Sequence, residues 1–273
     1  MSNFSLVRKR GLIYPGSSYG PGFNPNHIAG TKVLFSGVAT INGANFINIF
    51  NGMKGTVSPT PAVGRNGIIG PFLDTRAAGS GGGVTFSGIY PATTSQNPVT
   101  LAGIVLAPAT LAGAELEFIE TSTTDANAKA GTNTTNTFTF TMPGTANVDS
   151  LIPLVANTPY FYATSYSSSA GKANFLVLNL RTGQVTTSVI SQSGTPGNGN
   201  GNIVIGNDAN NIGGGNPGLA TAAAMFSNNY LSISALRIWA TDPWSFWYPG
   251  SMLGKQQFQS ITITDILYPA IVC

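Results

Sequence analysis

Charged residues are scarce in this chain of 273 residues, because Asp, Glu, Lys and Arg together make up only 8% of it. Ordinary soluble domains carry roughly 25%. A surface so poor in charge suits a protein that packs against neighbouring subunits better than it suits a free enzyme. The net charge is +3, and the run Arg8-Lys9-Arg10 contributes much of it. Three cations without interleaved aromatic residues are a weak signal for nucleic acid, so we predict that this run meets an acidic protein surface and that no nucleic acid is bound.

Cysteine and histidine are almost absent, since the chain has one of each, Cys273 and His27. A disulfide within the chain and a cysteine-ligated metal site are therefore excluded. One histidine supplies one metal ligand, and a Ser-His-Asp triad would have to take its base from a segment rich in proline and glycine. From these absences we predict no cofactor and no assembled catalytic triad.

Long apolar runs are also missing. No stretch of roughly 18 apolar residues occurs, so neither a membrane-spanning helix nor membrane insertion is expected. The segment from Met1 to Arg10 lacks the basic-then-apolar order of a secretory signal. These two observations fit a protein that is made in the cytoplasm and carried out in a particle.

Turn formers and short β-type segments make up most of the rest, with 34 Gly and 17 Pro in the chain. Many short strands separated by turn signals predict an all-β sandwich or jelly roll. Residues 1–30 are broken by Pro-Gly and Asn-Pro pairs and predict an extended arm. Residues 31–250 would form the sandwich, and 251–273 a strand-like extension that includes Ile261–Leu267. The strands that the pattern predicts most clearly are Thr134–Met142, Tyr160–Tyr166, Asn174–Leu180, Gln184–Ser191 and Ala220–Phe226.

One segment, Leu231–Pro249, departs from the β pattern and predicts a short helix. Ser232 can accept a main-chain N–H as the N-cap residue, while Leu231 and Leu236 have the spacing of a hydrophobic staple. Asp242-Pro243 ends the helix, because proline disfavours helical geometry at the residue before it. The aromatic residues that follow require a surface to pack on; they are Trp244, Phe246, Trp247 and Tyr248.

This segment resembles the end of the concanavalin A-like, or laminin G-like, jelly-roll domains found in virion proteins of tailed bacteriophages. Two further parts of the chain support the resemblance. Ile203–Asp208 followed by Leu219–Phe226 is similar to the "IGN" strand and the small-residue strand before the helix, and Leu154–Tyr166 with Phe175–Asn179 is similar to the preceding hairpin. The resemblance implies a concanavalin A-like sandwich with one short C-terminal helix. It implies fold more strongly than activity, because the family is functionally diverse.

All the glutamates of the chain lie in one short segment, Glu115-Leu-Glu117-Phe-Ile-Glu120. This spacing resembles the catalytic strand of laminarinase-type glycoside hydrolases. The resemblance implies a nucleophile at Glu115, an acid/base at Glu120 and a proton shared through Glu117. A retaining mechanism needs the two carboxyl groups about 5–5.5 Å apart. Residues five apart in a regular strand point to opposite faces, so this interpretation requires a β-bulge between Glu117 and Glu120, which no glycine in the segment calls for.

The alternative interpretation, which we favour, is an ordinary strand with Glu115 and Glu117 outward and Leu116 and Phe118 inward. The middle aspartate of the laminarinase pattern is replaced by Glu117, and the three tryptophans of the chain lie far along the sequence. A calcium site at Asn207 and Asp208 is a second alternative, because their side chains offer oxygen ligands. Asn and Asp in glycine-rich loops are more often turn formers, so we predict no metal and leave the binding residues unassigned.

The resemblance implies a structural protein of a tailed-phage virion, and the low charge and the absence of an assembled active site favour a structural subunit and not an enzyme. Capsid decoration, head-fibre and tail-associated subunits all fit the resemblance. The predicted partners are other copies of the chain and other virion proteins. One alternative is an adhesin module that binds glycans on the host surface, and another is a laminarinase-like hydrolase acting through Glu115 and Glu120. Homo-oligomerisation is expected, because an open sheet edge favours pairing between chains.

Overall fold

A computed structural model describes the chain over residues 31–36, 46–48, 51–58, 62–75, 83–91, 97–111, 113, 115–121, 128–141, 147–194, 201–206 and 218–244. These residues form fifteen β-strands and one α-helix. The strands make two antiparallel sheets, one of eight strands and one of seven. The predicted all-β sandwich with one short C-terminal helix is therefore confirmed.

The first sheet contains eight strands in the order β13-β12-β11-β6-β15-β4-β3, and β1 pairs with β15 beside this path. The long central strands carry small and apolar side chains that are buried throughout, as in β6 and β15. The bounds of the eight strands are β1 Thr31–Ser36, β3 Ala62–Asn66, β4 Gly70–Asp74, β6 Val99–Leu106, β11 Pro159–Ser167, β12 Lys172–Asn179, β13 Val185–Ser191 and β15 Ala220–Ser227.

The second sheet contains seven strands in the order β10-β9-β8-β7-β14-β5-β2. It is built from shorter strands, several of which the sequence pattern does not predict. The bounds are β2 Thr56–Ser58, β5 Gly83–Phe86, β7 Leu116–Glu120, β8 Lys129–Thr132, β9 Thr137–Thr141, β10 Val148–Pro153 and β14 Ile203–Gly206. Strand β7, which holds two of the three glutamates, lies in the middle of this sheet between β8 and β14.

Apolar side chains from the facing sides of the two sheets form the main core. Phe138 and Phe140 of β9 are fully buried in it, as predicted. Thr137 and Thr141 are only partly buried, but Thr139 between the two rings is buried as well, so the strand is more buried than the predicted half-buried pattern. The ring centroid of Phe138 lies 4.8 Å from that of Tyr162 in β11, and this contact between the rings links the two sheets. Burying such a side chain stabilises the fold by about 1.5–3 kcal/mol.

The helix α1, Ile233–Ala240, packs on the other side of the first sheet. Ser232 is its N-cap and accepts a hydrogen bond from the main-chain N–H of Ala235, at 3.3 Å. Leu236 is buried, and the ring of Trp239 meets that of Phe161 edge to face, with 4.9 Å between centroids. The N-cap, the buried face and the burial of Trp244 confirm the prediction of a capped helix followed by an aromatic residue that packs on the sheet.

Several sequence-based expectations lie outside the described residues. These include the extended arm of residues 1–30, the extension of residues 251–273, and Phe246, Trp247 and Tyr248. The domain boundaries at 30 and 250 therefore stay predictions. The one helix among the described residues is too short to span a membrane.

Candidate functional site

Strand β7 contains a β-bulge between its two glutamates. Glu117 pairs with Gly131 of β8, but the next pair is Ile119 with Ala130, so Phe118 is an extra residue in β7. Phe118 and Ile119 consequently both face the inter-sheet core. Two consecutive inward residues shift the alternation by one position. Glu117 and Glu120, three residues apart, therefore lie on the same outer face of the second sheet.

Two glycines in neighbouring strands make room for this bulge. A Cβ atom on Gly131 would lie 2.1 Å from the carbonyl oxygen of Leu116, so the β7 main chain runs directly against it. A Cβ atom on Gly103 of β6 would lie 2.4 Å from the ring of Phe118, the extra residue. The sequence does carry a signal for the bulge, but it lies in β8, which pairs with β7, and in β6 of the facing sheet, so the sequence of β7 alone does not predict it.

Lys129 of β8 bridges the two glutamates. Its Nζ atom lies 3.0 Å from Oε1 of Glu117 and 3.8 Å from Oε2 of Glu120. Lys129 also pairs directly with Glu120 across the two strands, which is the arrangement that favours opposite charges in a sheet. The side chains are 15%, 7% and 0% exposed for Lys129, Glu117 and Glu120. We call these three residues the Glu–Lys–Glu cluster.

Threonine side chains surround the Glu–Lys–Glu cluster on the outer face of the second sheet. In β9, Thr141 pairs with Lys129, and Thr139 pairs with Gly131. On the opposite side of β7, Val204 of β14 pairs with Glu120, and Thr85 of β5 pairs with Val204 in turn. The hydroxyl of a threonine both donates and accepts hydrogen bonds. This face therefore contains hydroxyl, carboxylate and ammonium groups, of which those of Glu117, Glu120 and Thr139 are buried, whereas the outer face of the first sheet is apolar and covered by α1.

The third glutamate, Glu115, is not one of the two carboxylates that lie beside Lys129. It precedes β7 by one residue and its side chain is exposed. The structure brings Glu117 and Glu120 to one face and contains the β-bulge that the laminarinase interpretation requires, while the pairing of Glu115 with Glu120 stays a prediction. The favoured strand interpretation agrees with the structure in placing Leu116 and Phe118 inward, but it lacked the bulge, and with it the placement of Glu120 on the outer face.

Sequence reasoning also missed Lys129 as a member of the site. It is one of 12 lysines and arginines in the chain. The short segment Lys-Ala-Gly-Thr that forms β8 has little of the composition typical of strands. Only the register of β8 against β7 brings Lys129 opposite Glu120. Nothing in the local sequence distinguishes it from a solvent-facing lysine.

The metal candidates Asn207 and Asp208 lie outside the described residues, as does His27. The described part of β14 ends immediately before them, at Gly206. Within the part of the chain that the structure describes, no group of three or more His, Cys, Asp or Glu side chains is arranged to hold a metal ion. The calcium hypothesis therefore stays untested.

No protein-family model and no curated protein sequence matches this chain. Solved structures do share its fold. A Trypanosoma rangeli sialidase in complex with sialic acid superposes with a TM-score of 0.53 and 11% identity, covering 89% of this chain and 38% of the sialidase. A structure described as showing that cell entry of botulinum neurotoxin type C depends on interaction with two ganglioside molecules gives a TM-score of 0.54 at 11% identity, covering 78% of this chain and 51% of that one.

A third similar structure is the enzymatically active domain of tailspike protein 2 from bacteriophage CBA120, with a TM-score of 0.47 and 14% identity over 76% of this chain and 32% of that one. This likeness is too weak to carry an argument. The chain spans less than two thirds of the length of each of these proteins. At such low identity the stronger matches establish the β-sandwich fold and no more.

These matches correct one sequence-based prediction. The low charge content and the absence of an assembled triad led to the prediction that the protein is not an enzyme. That prediction is wrong, because the fold is shared with sialidases. The regular-strand interpretation also contributed, because it pointed Glu117 and Glu120 to opposite faces, whereas the bulge at Phe118 brings them to the same face.

Proposed function

We propose that the protein recognises glycans through the outer face of its second sheet. The observation that carries this proposal is the β-bulge that gathers Glu117 and Glu120 beside Lys129 on a face lined by threonines. Carboxylates accept hydrogen bonds from sugar hydroxyls, an ammonium group donates them, and threonine does both. The sialidase complex and the ganglioside-dependent toxin concern sugar ligands on the same fold, which supports the proposal.

The setting of this activity is the second part of the proposal. We infer that the chain is a virion subunit of a tailed phage, made in the host cytoplasm and placed on the capsid, a head fibre or the tail. The support is the resemblance of Leu231–Pro249 and of the two upstream segments to phage jelly-roll domains, together with the low charge of 8%. Host-surface glycans would then be the ligands, and other virion proteins the partners.

Glycan hydrolysis is a second candidate function, favoured by the same bulge. A retaining mechanism uses two carboxyl groups on one face, one as nucleophile and one as acid/base. Lys129 lies 3.0 Å from Glu117 and 3.8 Å from Glu120, and a nearer cation stabilises a carboxylate more strongly. Glu117 would therefore act as the ionised nucleophile and Glu120 as the proton donor. In this proposal Glu115, the nucleophile implied by the laminarinase resemblance, has no catalytic role.

A glycan array probed with the full-length protein tests recognition, with neutral and sialylated oligosaccharides as the probes. We expect a defined set of bound glycans, lost in Glu117→Gln and kept in Glu115→Gln, which changes an exposed glutamate outside the cluster. Chromatography of the bound oligosaccharides after incubation separates the two candidates: intact sugar supports binding alone, whereas shorter products that disappear in Glu120→Gln support hydrolysis. The site would be rejected if the protein bound no glycan, or if Glu115→Gln lost as much glycan binding as Glu117→Gln.

Association with particles is a separate experiment. Phage particles from a producing culture are purified on a density gradient and probed with an antibody against the chain. Co-migration with intact particles supports the virion assignment. Recovery only in the soluble fraction would reject that assignment without affecting the glycan result.

A further inference from the structure

Most acidic residues of the described chain belong to the second sheet. Asp149 of β10 pairs with Thr139 of β9. The residues on either side of Thr139, Phe138 and Phe140, point into the core between the sheets, so Thr139 and Asp149 point to the outer face. Asp149 therefore shares this face with the Glu–Lys–Glu cluster. Glu115, one residue before β7, is a further acidic residue of this sheet and is exposed.

The basic residues have the opposite distribution. Apart from Lys54 and Lys129, the lysines and arginines among the described residues belong to the first sheet, to its β12–β13 turn or to α1; they are Lys32, Arg65, Lys172, Arg181 and Arg237. Lys54 precedes β2, which β14 and β5 separate from β7, so it is about 14 Å away at the usual strand spacing. The Debye length at physiological ionic strength is about 8 Å. Lys129 is therefore the cation that acts on the acidic residues of this face.

Lys129 does not offset all of this negative charge. Its Nζ atom lies 3.0 Å from Oε1 of Glu117 and 3.8 Å from Oε2 of Glu120, so one ammonium group serves two carboxylates. Asp149 and Glu115 each add a formal negative charge. An acidic sugar on this face would meet like charges, which repel it, and would find Lys129 already engaged. Hydroxyl and amino groups of a sugar, by contrast, donate hydrogen bonds to carboxylates.

Asp149 is held in a fixed orientation at one end of this face. Its Oδ2 atom accepts a hydrogen bond from Nδ2 of Asn133 at 2.9 Å, and its Oδ1 atom accepts one from the main-chain N–H of Leu151 at 2.8 Å. An ionised carboxylate has about four acceptor positions, so both oxygens can accept a further bond from a ligand. Strands β8 and β9 lie between Glu117 and Asp149, which separates the two positions by about 14 Å. A ligand that spans them lies within about 7 Å of one carboxylate or the other, inside the Debye length.

We propose that the outer face of the second sheet recognises amine-bearing and neutral glycans and rejects acidic ones, with Asp149 as a specificity-determining residue. This inference rests on the glycan recognition proposed above and adds the class of sugar. An amino group on the sugar gains a charge-assisted hydrogen bond to a carboxylate, a hydroxyl group gains a weaker one, and a carboxylate on the sugar is repelled. The ligands therefore differ in charge from the sialic acid bound in the sialidase complex.

One oligosaccharide in three charge forms tests the selectivity of the full-length protein. The probes are the neutral glycan with the strongest array signal and two forms of it, in which one hydroxymethyl group is replaced by an aminomethyl group or by a carboxylate. Two unit charges about 7 Å apart in water interact by about RT, so calorimetric titration should give about threefold tighter binding of the amine form and about threefold weaker binding of the carboxylate form. Both differences should shrink at about 1 M salt, where the Debye length is about 3 Å.

Asp149→Asn separates selectivity from folding, because it removes the charge and keeps the size of the side chain. The ratio of affinities for the amine and carboxylate forms should fall by at least about threefold, while the affinity for the neutral form changes little. The matched control is Asp74→Asn at the end of β4 in the first sheet, which should leave the ratio unchanged. The inference would be overturned if the native protein bound the carboxylate form as tightly as the neutral one, or if both variants changed the ratio equally. Binding of no glycan in any form would reject the proposed function itself, and this inference with it.

Discussion

Gly131 lies opposite Glu117 at the point where β7 gains its extra residue. The main chain of β7 runs so close to Gly131 that a Cβ atom there would lie 2.9 Å from the Cα atom of Glu117. This close approach accommodates the bulge, and the bulge brings Glu120 to the face of Glu117. The candidate site therefore depends on Gly131, a residue without a functional group in its side chain.

The first prediction follows from this contact. Gly131→Ala should destabilise the protein by about 1–3 kcal/mol, the range for overpacked positions, because the added methyl group meets main-chain atoms that cannot rotate away. Urea unfolding measures the loss. Gly67→Ala is the control, because a Cβ atom on Gly67 would have no neighbour within 4 Å. Equal stability of the Gly131 variant and the native protein would show that the bulge does not need the glycine.

The second prediction concerns the ammonium group between the two glutamates. Lys129→Met removes the cation that bridges two buried carboxylates. Removing one partner of a buried ion pair lowers the free energy of unfolding by about 3–5 kcal/mol, and we expect a loss of up to that size here. The loss should shrink as the pH falls, since protonation of Glu117 and Glu120 removes the uncompensated charge. Unfolding at several pH values measures it, with Lys172→Met as the control, because Lys172 is exposed. A loss that stays constant with pH would contradict the electrostatic role of Lys129.

The third prediction concerns alkaline pH. Burial raises the pKa of Tyr162 well above its ordinary value, and burial also raises the pKa of Tyr90 to about 12. Both tyrosines stay protonated in the folded chain while the unfolded chain ionises near pH 10, so the folded state binds more protons above that pH. Stability should therefore be fully present below pH 10 and fall as the pH rises toward 12.

Tyr162→Phe provides the test of that mechanism. The hydroxyl of Tyr162 donates a hydrogen bond to the carbonyl of Thr139 at 2.6 Å, so the variant should lose some stability at neutral pH. Its stability should decline less steeply above pH 10, because one shifted tyrosine is gone. Unfolding midpoints measured from neutral to strongly alkaline pH would show this, and an unchanged slope would mean that other groups control alkaline unfolding.

The fourth prediction concerns the helix. Trp239 is buried against Phe161, whereas its neighbour Ile238 is 74% exposed. Trp239→Ala should cost about 3–5 kcal/mol through lost contacts and a cavity. Ile238→Ala should change stability by less than about 0.5 kcal/mol. Thermal unfolding of the two variants compares them, and similar losses would mean that α1 does not depend on its buried face.

Sequence patterns predicted the long strands well. The segments predicted at Tyr160–Tyr166 and Ala220–Phe226 are strands over Pro159–Ser167 and Ala220–Ser227, because runs of β-branched, aromatic and small apolar residues lie in buried strands. The N-cap at Ser232 was equally predictable, since capping depends on a few adjacent residues. In both cases the physical cause is local.

The strands that the pattern missed owe their structure to their neighbours. Lys129–Thr132 contains a lysine and a glycine, and Val148–Pro153 contains an aspartate, a serine and a proline. Such sequences have weak intrinsic preference for strands, and pairing with β7 or β9 makes them part of the sheet. The candidate site was missed for the same reason, because the bulge depends on Gly131 and Gly103, which belong to other strands.

Calorimetric titration with the oligosaccharide that gives the strongest array signal tests the central claim most directly. The native protein and Glu115→Gln should bind it with equal affinity, whereas Glu120→Gln, shown by circular dichroism to be folded, should bind at least about tenfold more weakly, a loss of roughly 1.4 kcal/mol. That result would locate glycan recognition at the Glu–Lys–Glu cluster. Equal affinity of folded Glu120→Gln and the native protein would show that the cluster only stabilises the second sheet and that glycans bind elsewhere.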